Sequence, residues 1–194
     1  GMYAFDPSYA VEVQRAHPDR FAIVRPVDPS NPAVGETIAE WKRTTGAVAV
    51  RLMLGAHLGV APNPPGADVI AKEAARHGFP VNFQCSGNLD TAMALIDRHP
   101  ETRFVLDHLA GLSVGLAGSA RAWAAAQALA DGGAWVKLSG WYRLGATAPY
   151  SALHASIVRA AEMFGPRVVW GSDWPHTSFP PERRPDYEST LFPV

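Results

Sequence analysis

Short apolar runs rich in β-branched residues recur along the chain about every 23 to 33 residues, the length of one strand followed by one helix. There are six such runs, at residues 21–27, 47–54, 79–85, 103–109, 134–140 and 167–174. Between them lie alanine-rich segments with helical spacing, of which 66–78, 88–100 and 150–166 are clear cases. Strands that are apolar on both faces and alternate with helices are typical of a parallel sheet. The sequence therefore predicts an α/β fold with about six parallel strands.

The order of these strands in the sheet stays open at this stage. No G-x-G-x-x-G turn follows the first run, so a dinucleotide-binding fold has no support. An open parallel sheet and a (β/α) barrel produce the same alternation, and the pattern does not separate them. In both architectures the reactive groups collect at the carboxyl ends of the strands, so the residues at those ends are the candidates for function.

Composition narrows the classes of function. The 194 residues carry a net charge of −1, which gives no electrostatic reason to expect binding to nucleic acid or to a membrane surface. Charged residues, histidine or glycine interrupt every long apolar stretch, so no membrane span is expected. Cys85 is the only cysteine, which excludes an internal disulfide. We expect one domain over residues 1–194 of a cytoplasmic protein, with Gly1 left from a cleaved tag and no signal peptide after it.

Two charged residues stand out among the predicted strands. Asp173 lies near the end of the last run, directly before a Trp-Pro pair that would partly remove it from water. A carboxylate in such a place is a candidate general base, and the alternative is an aspartate that caps a loop. Arg51 lies inside an apolar run, where a charge is costly, so it needs either an ion partner or an anionic ligand.

Three further polar residues lie on or just after the runs. A histidine at a strand end, such as His108, is commonly a hydrogen-bonded core residue and less often a catalyst. Successive residues of a strand point to opposite faces, so Asp107 and His108 are not expected to face one pocket. The long aliphatic stem of Lys137 would allow its amino group to reach the surface.

Three motifs together resemble a known family. They are HPETRFVLDHLAG at residues 99–111, WVKLSGWYRL at 135–144 and VVWGSDWPH at 168–176. In this order they resemble the amidohydrolase superfamily, most closely the subgroup of 2-pyrone-4,6-dicarboxylate lactonase and related sugar-acid lactonases. The resemblance extends over essentially the whole chain. The G-[ST]-D-W-P-H motif is fairly specific, and with the F-V-L-D-H strand it becomes strong.

The resemblance implies a (β/α)₈ TIM-type barrel with its site at the carboxyl ends of the strands. Asp173 matches the family's aspartate on strand eight, which activates water, and His108 matches its histidine on strand six. Arg51 and Arg143 match arginines that hold substrate carboxylates, a task that suits the bidentate guanidinium group. The remaining residues expected to line the substrate pocket are His57, Gln84, His176 and Trp174.

The family pattern is incomplete where metal ligands are concerned. Metal-dependent members carry H-x-H on strand one and a histidine on strand five, but this sequence has no H-x-H and no histidine in the run at 79–85. Of the usual ligands, His108 and Asp173 remain, and a catalytic zinc site needs about three from the protein. The resemblance to metal-independent lactonases therefore implies no tightly bound cofactor, with zinc expected only if an additional segment supplies ligands.

The length of the chain is the second departure from the family pattern. A full barrel needs about 250 residues, and the six runs match barrel strands three to eight. We therefore expect a barrel without its first two strands and its last helix. Because such a piece exposes unpaired strand edges, we expect either a longer natural chain or a second copy covering the edge, as in a homodimer.

Three functional hypotheses follow. The first is a hydrolase that opens a lactone bearing carboxylates, with Asp173 as base, His108 assisting, and Arg51 and Arg143 holding the acid groups. The second is a metal-dependent hydrolase or decarboxylase of the same superfamily. The third is a truncated barrel without catalysis that serves as a binding or assembly module.

Overall fold

Six parallel strands form one sheet in the computed structural model, which describes residues 4–54, 63–176 and 179–192. Each strand lies within one of the six runs predicted from the sequence. The strands are β1 (Ile23–Pro26), β2 (Ala47–Met53), β3 (Val81–Gln84), β4 (Phe104–Leu106), β5 (Trp135–Ser139) and β6 (Val168–Gly171).

Helices occupy the segments between the strands. The described α-helices are α1 (Ser8–Ala16), α2 (Val34–Trp41), α3 (Gly66–Arg76), α4 (Leu89–Arg98), α5 (Ala120–Asp131) and α6 (His154–Phe164). Local signals set their ends: the Ser119 side chain accepts a hydrogen bond from the Ala122 backbone N–H where α5 begins. At the end of α6, Gly165 adopts a positive φ of 56°, which favours glycine.

The order of the strands decides between the open sheet and the barrel. Neighbours in the sheet follow the chain from β1 to β6 without a reversal. An open doubly wound sheet reverses its order at a switch point, whereas a barrel adds each new strand beside the previous one. The sheet is curled and forms part of a (β/α) barrel, so the fold class predicted from the sequence is confirmed.

The two faces of the sheet differ in chemistry. A continuous row of paired residues across β2 to β5 is buried in the hydrophobic core: Leu52, Phe83, Leu106 and Val136. Alternate positions point the other way, and there β2, β3 and β5 carry Arg51, Asn82 and Lys137. Polar side chains therefore occupy the inner face of the curled sheet, while the apolar row packs in one cluster with the helices.

Within the described part of the chain, no helix has both the length and the apolar character that crossing a membrane requires.

The packing of α4 gives a test of the core. Leu95 has no exposed surface, whereas Leu116 is 37% exposed. We expect Leu95→Ala to lower the free energy of unfolding by about 3 kcal/mol, since it leaves a cavity in the hydrophobic core. The matched change Leu116→Ala should cost less than about 1 kcal/mol. Urea unfolding followed by circular dichroism measures both, and equal losses would contradict this assignment of the core.

Candidate active site

The ends of the strands bring most of the predicted site residues together. Arg51 projects from β2, His108 follows β4, Arg143 follows β5 and Asp173 follows β6. These four side chains belong to two adjoining networks, one around Asp107 and one around Asp173. His108 connects them, because it interacts electrostatically with both carboxylates.

The backbone is left-handed at three of the predicted site residues. The φ angle is 51° at His108, 59° at Asp173 and 58° at His176. Such a conformation costs a residue with a side chain about 1–2 kcal/mol, so surrounding contacts must hold it in place. Unfavourable backbone conformations concentrate at functional sites, which supports the choice of this region as the candidate site.

The Asp107 carboxylate is the buried centre of the first network. Its side chain is 2% exposed, and its Oδ2 atom lies 2.8 Å from both Nε and Nη2 of Arg51. Its Oδ1 atom lies 2.9 Å from Nζ of Lys137. Burial alone would raise the pKa of Asp107, but the two cations outweigh it and lower that pKa to about 2.

Two expectations from the sequence are corrected here. Lys137 does not run to the surface: its amino group pairs with Asp107 on the inner face of the sheet. Asp107 and His108 do lie at one site, and Arg51 acts electrostatically on both. The prediction that they face opposite ways assumed that the strand continues through His108. The alternation of side chains ends at Asp107 instead, because the backbone of His108 is left-handed.

The Asp173 carboxylate is held asymmetrically. Its Oδ2 atom accepts hydrogen bonds from the Tyr142 hydroxyl and from Nε of Arg143. Its Oδ1 atom faces Nε2 of His108 at 3.9 Å, too far for a direct hydrogen bond but close enough for both atoms to contact one small molecule. The donors to Asp173 therefore converge on one oxygen and leave the other directed toward His108.

The charge states at this centre follow from its surroundings. Burial lowers the pKa of His108 below its usual range despite the opposing carboxylates, so the ring is neutral near pH 7. Burial would raise the pKa of Asp173, but His108, Tyr142 and Arg143 together hold it below its usual range. Since His108 is neutral near pH 7, Tyr142 and Arg143 are the partners that keep Asp173 ionised there.

A serine and a glycine place the His108 ring. Its Nδ1 atom lies 3.1 Å from the Ser139 hydroxyl oxygen at the end of β5. A β-carbon at Gly140 would lie 2.5 Å from the same Nδ1 atom, and Gly140 has a φ of 65°. Both the space and the backbone therefore call for glycine beside the ring. When the serine donates to Nδ1, the proton of the neutral ring is on Nε2, the atom that faces Asp173.

Three of the other predicted lining residues lie within the described part of the chain, and they differ in their burial. Gln84 is half-buried on the face of the sheet that carries Arg51, and its Oε1 atom has no hydrogen-bond partner among the described residues. Trp174 is 63% exposed, and His176 is 1% exposed and packs against Tyr142. His57 lies outside the described residues.

Sequence reasoning assigns no role at the site to three residues that contribute to it: Lys137, Ser139 and Tyr142. The two-residue spacing of Lys137 and Ser139 on β5 places them on one face, which is a signal that could have found them together. Tyr142 directly precedes Arg143, and no pattern in a single sequence indicates that both reach the same carboxylate.

A metal site is not formed by the described side chains. His108 and Asp173 supply two ligands, and both oxygens of Asp107 are bonded to Arg51 or Lys137. Among the residues that the structure describes, no group of three or more His, Cys, Asp or Glu side chains could hold an ion. A catalytic zinc ion normally has about three protein ligands, so these residues by themselves do not fit one.

Comparison with known proteins finds a family whose model matches the sequence of this chain. The family model described as an amidohydrolase matches residues 2–192. No curated protein matches the chain by sequence. The family model therefore matches nearly the whole chain, including both networks described above.

Solved structures share the fold. A protein of Acinetobacter baumannii described as a probable 2-pyrone-4,6-dicarboxylic acid hydrolase, solved with citric acid bound, is 21% identical, with a TM-score of 0.75 over 98% of this chain and 70% of that one. An amidohydrolase of Burkholderia multivorans with bound zinc is 25% identical, with a TM-score of 0.76 over 96% and 69%. The 5-carboxyvanillate decarboxylase of Sphingomonas paucimobilis is 14% identical, with a TM-score of 0.66 over 98% and 65%.

The Asp107 network predicts a specific dependence of stability on pH. Asp107→Asn should lower the free energy of unfolding at pH 7 by about 3 kcal/mol, because it removes the charge that pairs with Arg51 and Lys137. The pKa of Asp107 is lower in the folded protein than the usual 3.8, so its contribution is complete above that value and is lost as the pH falls toward about 2. The difference between wild type and variant should therefore narrow in acid.

Urea unfolding at a series of pH values measures this difference. The control is Asp90→Asn, which removes a solvent-exposed ion pair with Arg121 and should cost less than about 1 kcal/mol. A loss from Asp107→Asn that matched the control, or that stayed constant down to pH 2, would contradict the role assigned to Asp107.

Proposed function

The chain belongs to the amidohydrolase family whose model matches residues 2–192, and from this we propose that it hydrolyses a lactone bearing carboxylate groups. Membership of this family makes it a hydrolase-type enzyme, and the proposal adds the bond that is cleaved and the side chains that act. Water is the nucleophile, Asp173 is the general base, and the product is the ring-opened hydroxy acid in its carboxylate form.

One observation carries the proposal: both donors to Asp173 bond Oδ2, and Oδ1 is directed toward His108. A general base must stay ionised and must keep an accessible lone pair for the proton that it removes. Asp173 meets both requirements: its lowered pKa keeps the carboxylate ionised near pH 7, and both donors bond Oδ2, which leaves Oδ1 to accept a proton in a side chain that is 20% exposed. An aspartate that only caps a loop would not need one oxygen bonded to the protein and the other left to accept a proton.

In the proposed reaction, Asp173 carries one proton from the attacking water to the oxygen that leaves the ring. Oδ1 of Asp173 takes a proton from water while the water oxygen bonds to the lactone carbonyl carbon. Nε2–H of neutral His108 donates to the carbonyl oxygen as negative charge develops there. When the intermediate collapses, the bond from the carbonyl carbon to the ring oxygen breaks, and Asp173 returns the proton to that oxygen. The new carboxyl group then loses its proton to solvent, which gives the carboxylate form of the product.

Charge favours an acidic substrate at this site. Three cationic side chains, Arg51, Lys137 and Arg143, face two carboxylates, those of Asp107 and Asp173. The side chains of the two arginines and the lysine are 24–31% exposed, so a substrate at the carboxyl ends of the strands could reach them. An excess positive charge with free donors suits substrate carboxylates, which Arg51 and Arg143 would hold in place.

The likeness to the Acinetobacter protein suggests the first compound to test, 2-pyrone-4,6-dicarboxylate. Gln84 and Trp174 would line the same pocket, one on the inner face of the sheet and one at its rim. The 5-carboxyvanillate decarboxylase supplies the competing reaction, loss of carbon dioxide from a carboxylated phenol.

Removing the base should abolish turnover. Asp173→Asn keeps the shape of the side chain but cannot accept the proton, so kcat for 2-pyrone-4,6-dicarboxylate should fall by about 10³-fold. Loss of the pyrone absorbance with time measures the rate. Asp131→Asn, a change on the exposed surface of α5, is the matched control and should leave kcat unchanged.

Two results would overturn the proposal. One is an Asp173→Asn variant that keeps most of the wild-type kcat. The other is a wild-type protein that leaves the pyrone intact but releases carbon dioxide from 5-carboxyvanillate, which would replace lactone hydrolysis with decarboxylation.

A further inference from the structure

We propose that His176 is a positioning residue that acts through Tyr142: it fixes the tyrosine hydroxyl so that its proton points to Oδ2 of Asp173. This inference rests on the proposed function in assigning Asp173 as the base. It concerns a residue that sequence analysis places among those that line the substrate pocket, and it gives that residue a different task.

The contacts form a closed cycle. The Tyr142 hydroxyl bonds to Oδ2 of Asp173, and Nδ1 of His176 lies 3.2 Å from the same hydroxyl. The backbone N–H of His176 then donates to the Asp173 carbonyl oxygen at 3.1 Å. The Tyr142 and His176 rings meet edge to face, with centroids 4.9 Å apart. Two loops, one after β5 and one after β6, are thereby joined through the base itself.

The number of protons fixes the direction of each bond. A tyrosine hydroxyl has one proton, and the ionised carboxylate of Asp173 has none, so Tyr142 must donate to Asp173. The bond from His176 to the same hydroxyl then needs a donor on the histidine, which is Nδ1–H. A neutral His176 therefore carries its proton on Nδ1, and Nε2 is left as a bare acceptor.

The surroundings support these protonation states. Burial and the bond to Asp173 raise the pKa of Tyr142, so the hydroxyl keeps its proton. Burial lowers the pKa of His176 below its usual range, and the nearby Asp173 does not reverse this. Arg143 and Arg184 also disfavour a positive charge on the ring. His176 is therefore neutral near pH 7, and its single ring proton must lie on Nδ1 for the cycle to form.

Burial argues against direct contact between His176 and a substrate. The residue is 1% exposed, and its Nε2 atom is buried without a hydrogen-bond partner among the described residues. Trp174 also packs edge to face against the ring at 5.5 Å. His176 can therefore influence the reaction by holding the Tyr142 hydroxyl, which in turn keeps Oδ2 occupied and Oδ1 free for water.

The tautomer of His176 tests the cycle without any substrate. A two-bond proton–nitrogen spectrum of the ¹⁵N-histidine-labelled full chain distinguishes the two neutral tautomers, and the His176→Asn variant identifies the His176 signals among the seven histidines. We expect the Nδ1–H tautomer in wild type. An Nε2–H tautomer would overturn the inference, because Nδ1 could not then donate to the Tyr142 hydroxyl.

Kinetics test the effect on the base. With 2-pyrone-4,6-dicarboxylate as substrate, Tyr142→Phe and His176→Leu should each lower kcat by about 10 to 100-fold, with KM changed less than about 2-fold. His176→Asn should recover most of the loss, because its amide can donate from the position of Nδ1. The double variant Tyr142→Phe/His176→Leu should be no slower than Tyr142→Phe, since His176 acts only through the hydroxyl.

The matched control is Tyr150→Phe, which removes another buried hydroxyl, one that lies 3.3 Å from Ser189 and away from Asp173. Its kcat should stay within about 2-fold of wild type. Additive losses in the double variant, or a rise in KM without a fall in kcat, would show that His176 contacts substrate and would overturn the inference. If wild type does not open the pyrone, the proposed function fails, and the tautomer still decides whether the cycle exists.

Discussion

The carboxylate of Asp107 lies at the centre of the inner face, and the arrangement of the mouth depends on its two ion pairs. Arg51 on β2 and Lys137 on β5 both point inward and both reach Asp107, which follows β4. Without that charge, two cations would face each other across the inside of a curled sheet. The Arg51 pair therefore joins β2 to the end of β4, which are not neighbours in the sheet, and the Lys137 pair joins the adjacent β4 and β5. Together the two pairs fix the inner face beside His108 and Asp173.

The proposed chemistry depends on an asymmetry between the two oxygens of one carboxylate, that of Asp173. Tyr142 and Arg143 both donate to Oδ2 of Asp173, so its other oxygen faces His108. Burial opposes a charge at this position, and the two donors keep the group ionised. The geometry thus separates two tasks that a free aspartate performs with equivalent oxygens: anchoring to the protein and accepting a proton.

The sequence alone predicts the strands and most of the residues at the candidate site, and what it does not predict has physical causes. The six runs and the residues at their ends predict the strands and bring Asp173, His108 and Arg51 to one mouth. The direction of Lys137 was not accessible, because its partner lies 30 positions earlier in the chain and on another strand. The shared location of Asp107 and His108 was not accessible either, because the left-handed turn at His108 breaks the alternation of the strand.

The sequence by itself determined the alternation of strands and helices and the kinds of residue at the strand ends, since both follow from local periodicity and from short motifs. Only the tertiary structure decided that the strands follow each other in order around a curled sheet, because the same periodicity fits an open sheet. It also decided which groups pair. Arg51 and Asp107 are 56 residues apart, and Tyr142 and Asp173 are 31 apart. Such contacts depend on how the sheet curls and on a few backbone angles, neither of which a local pattern encodes.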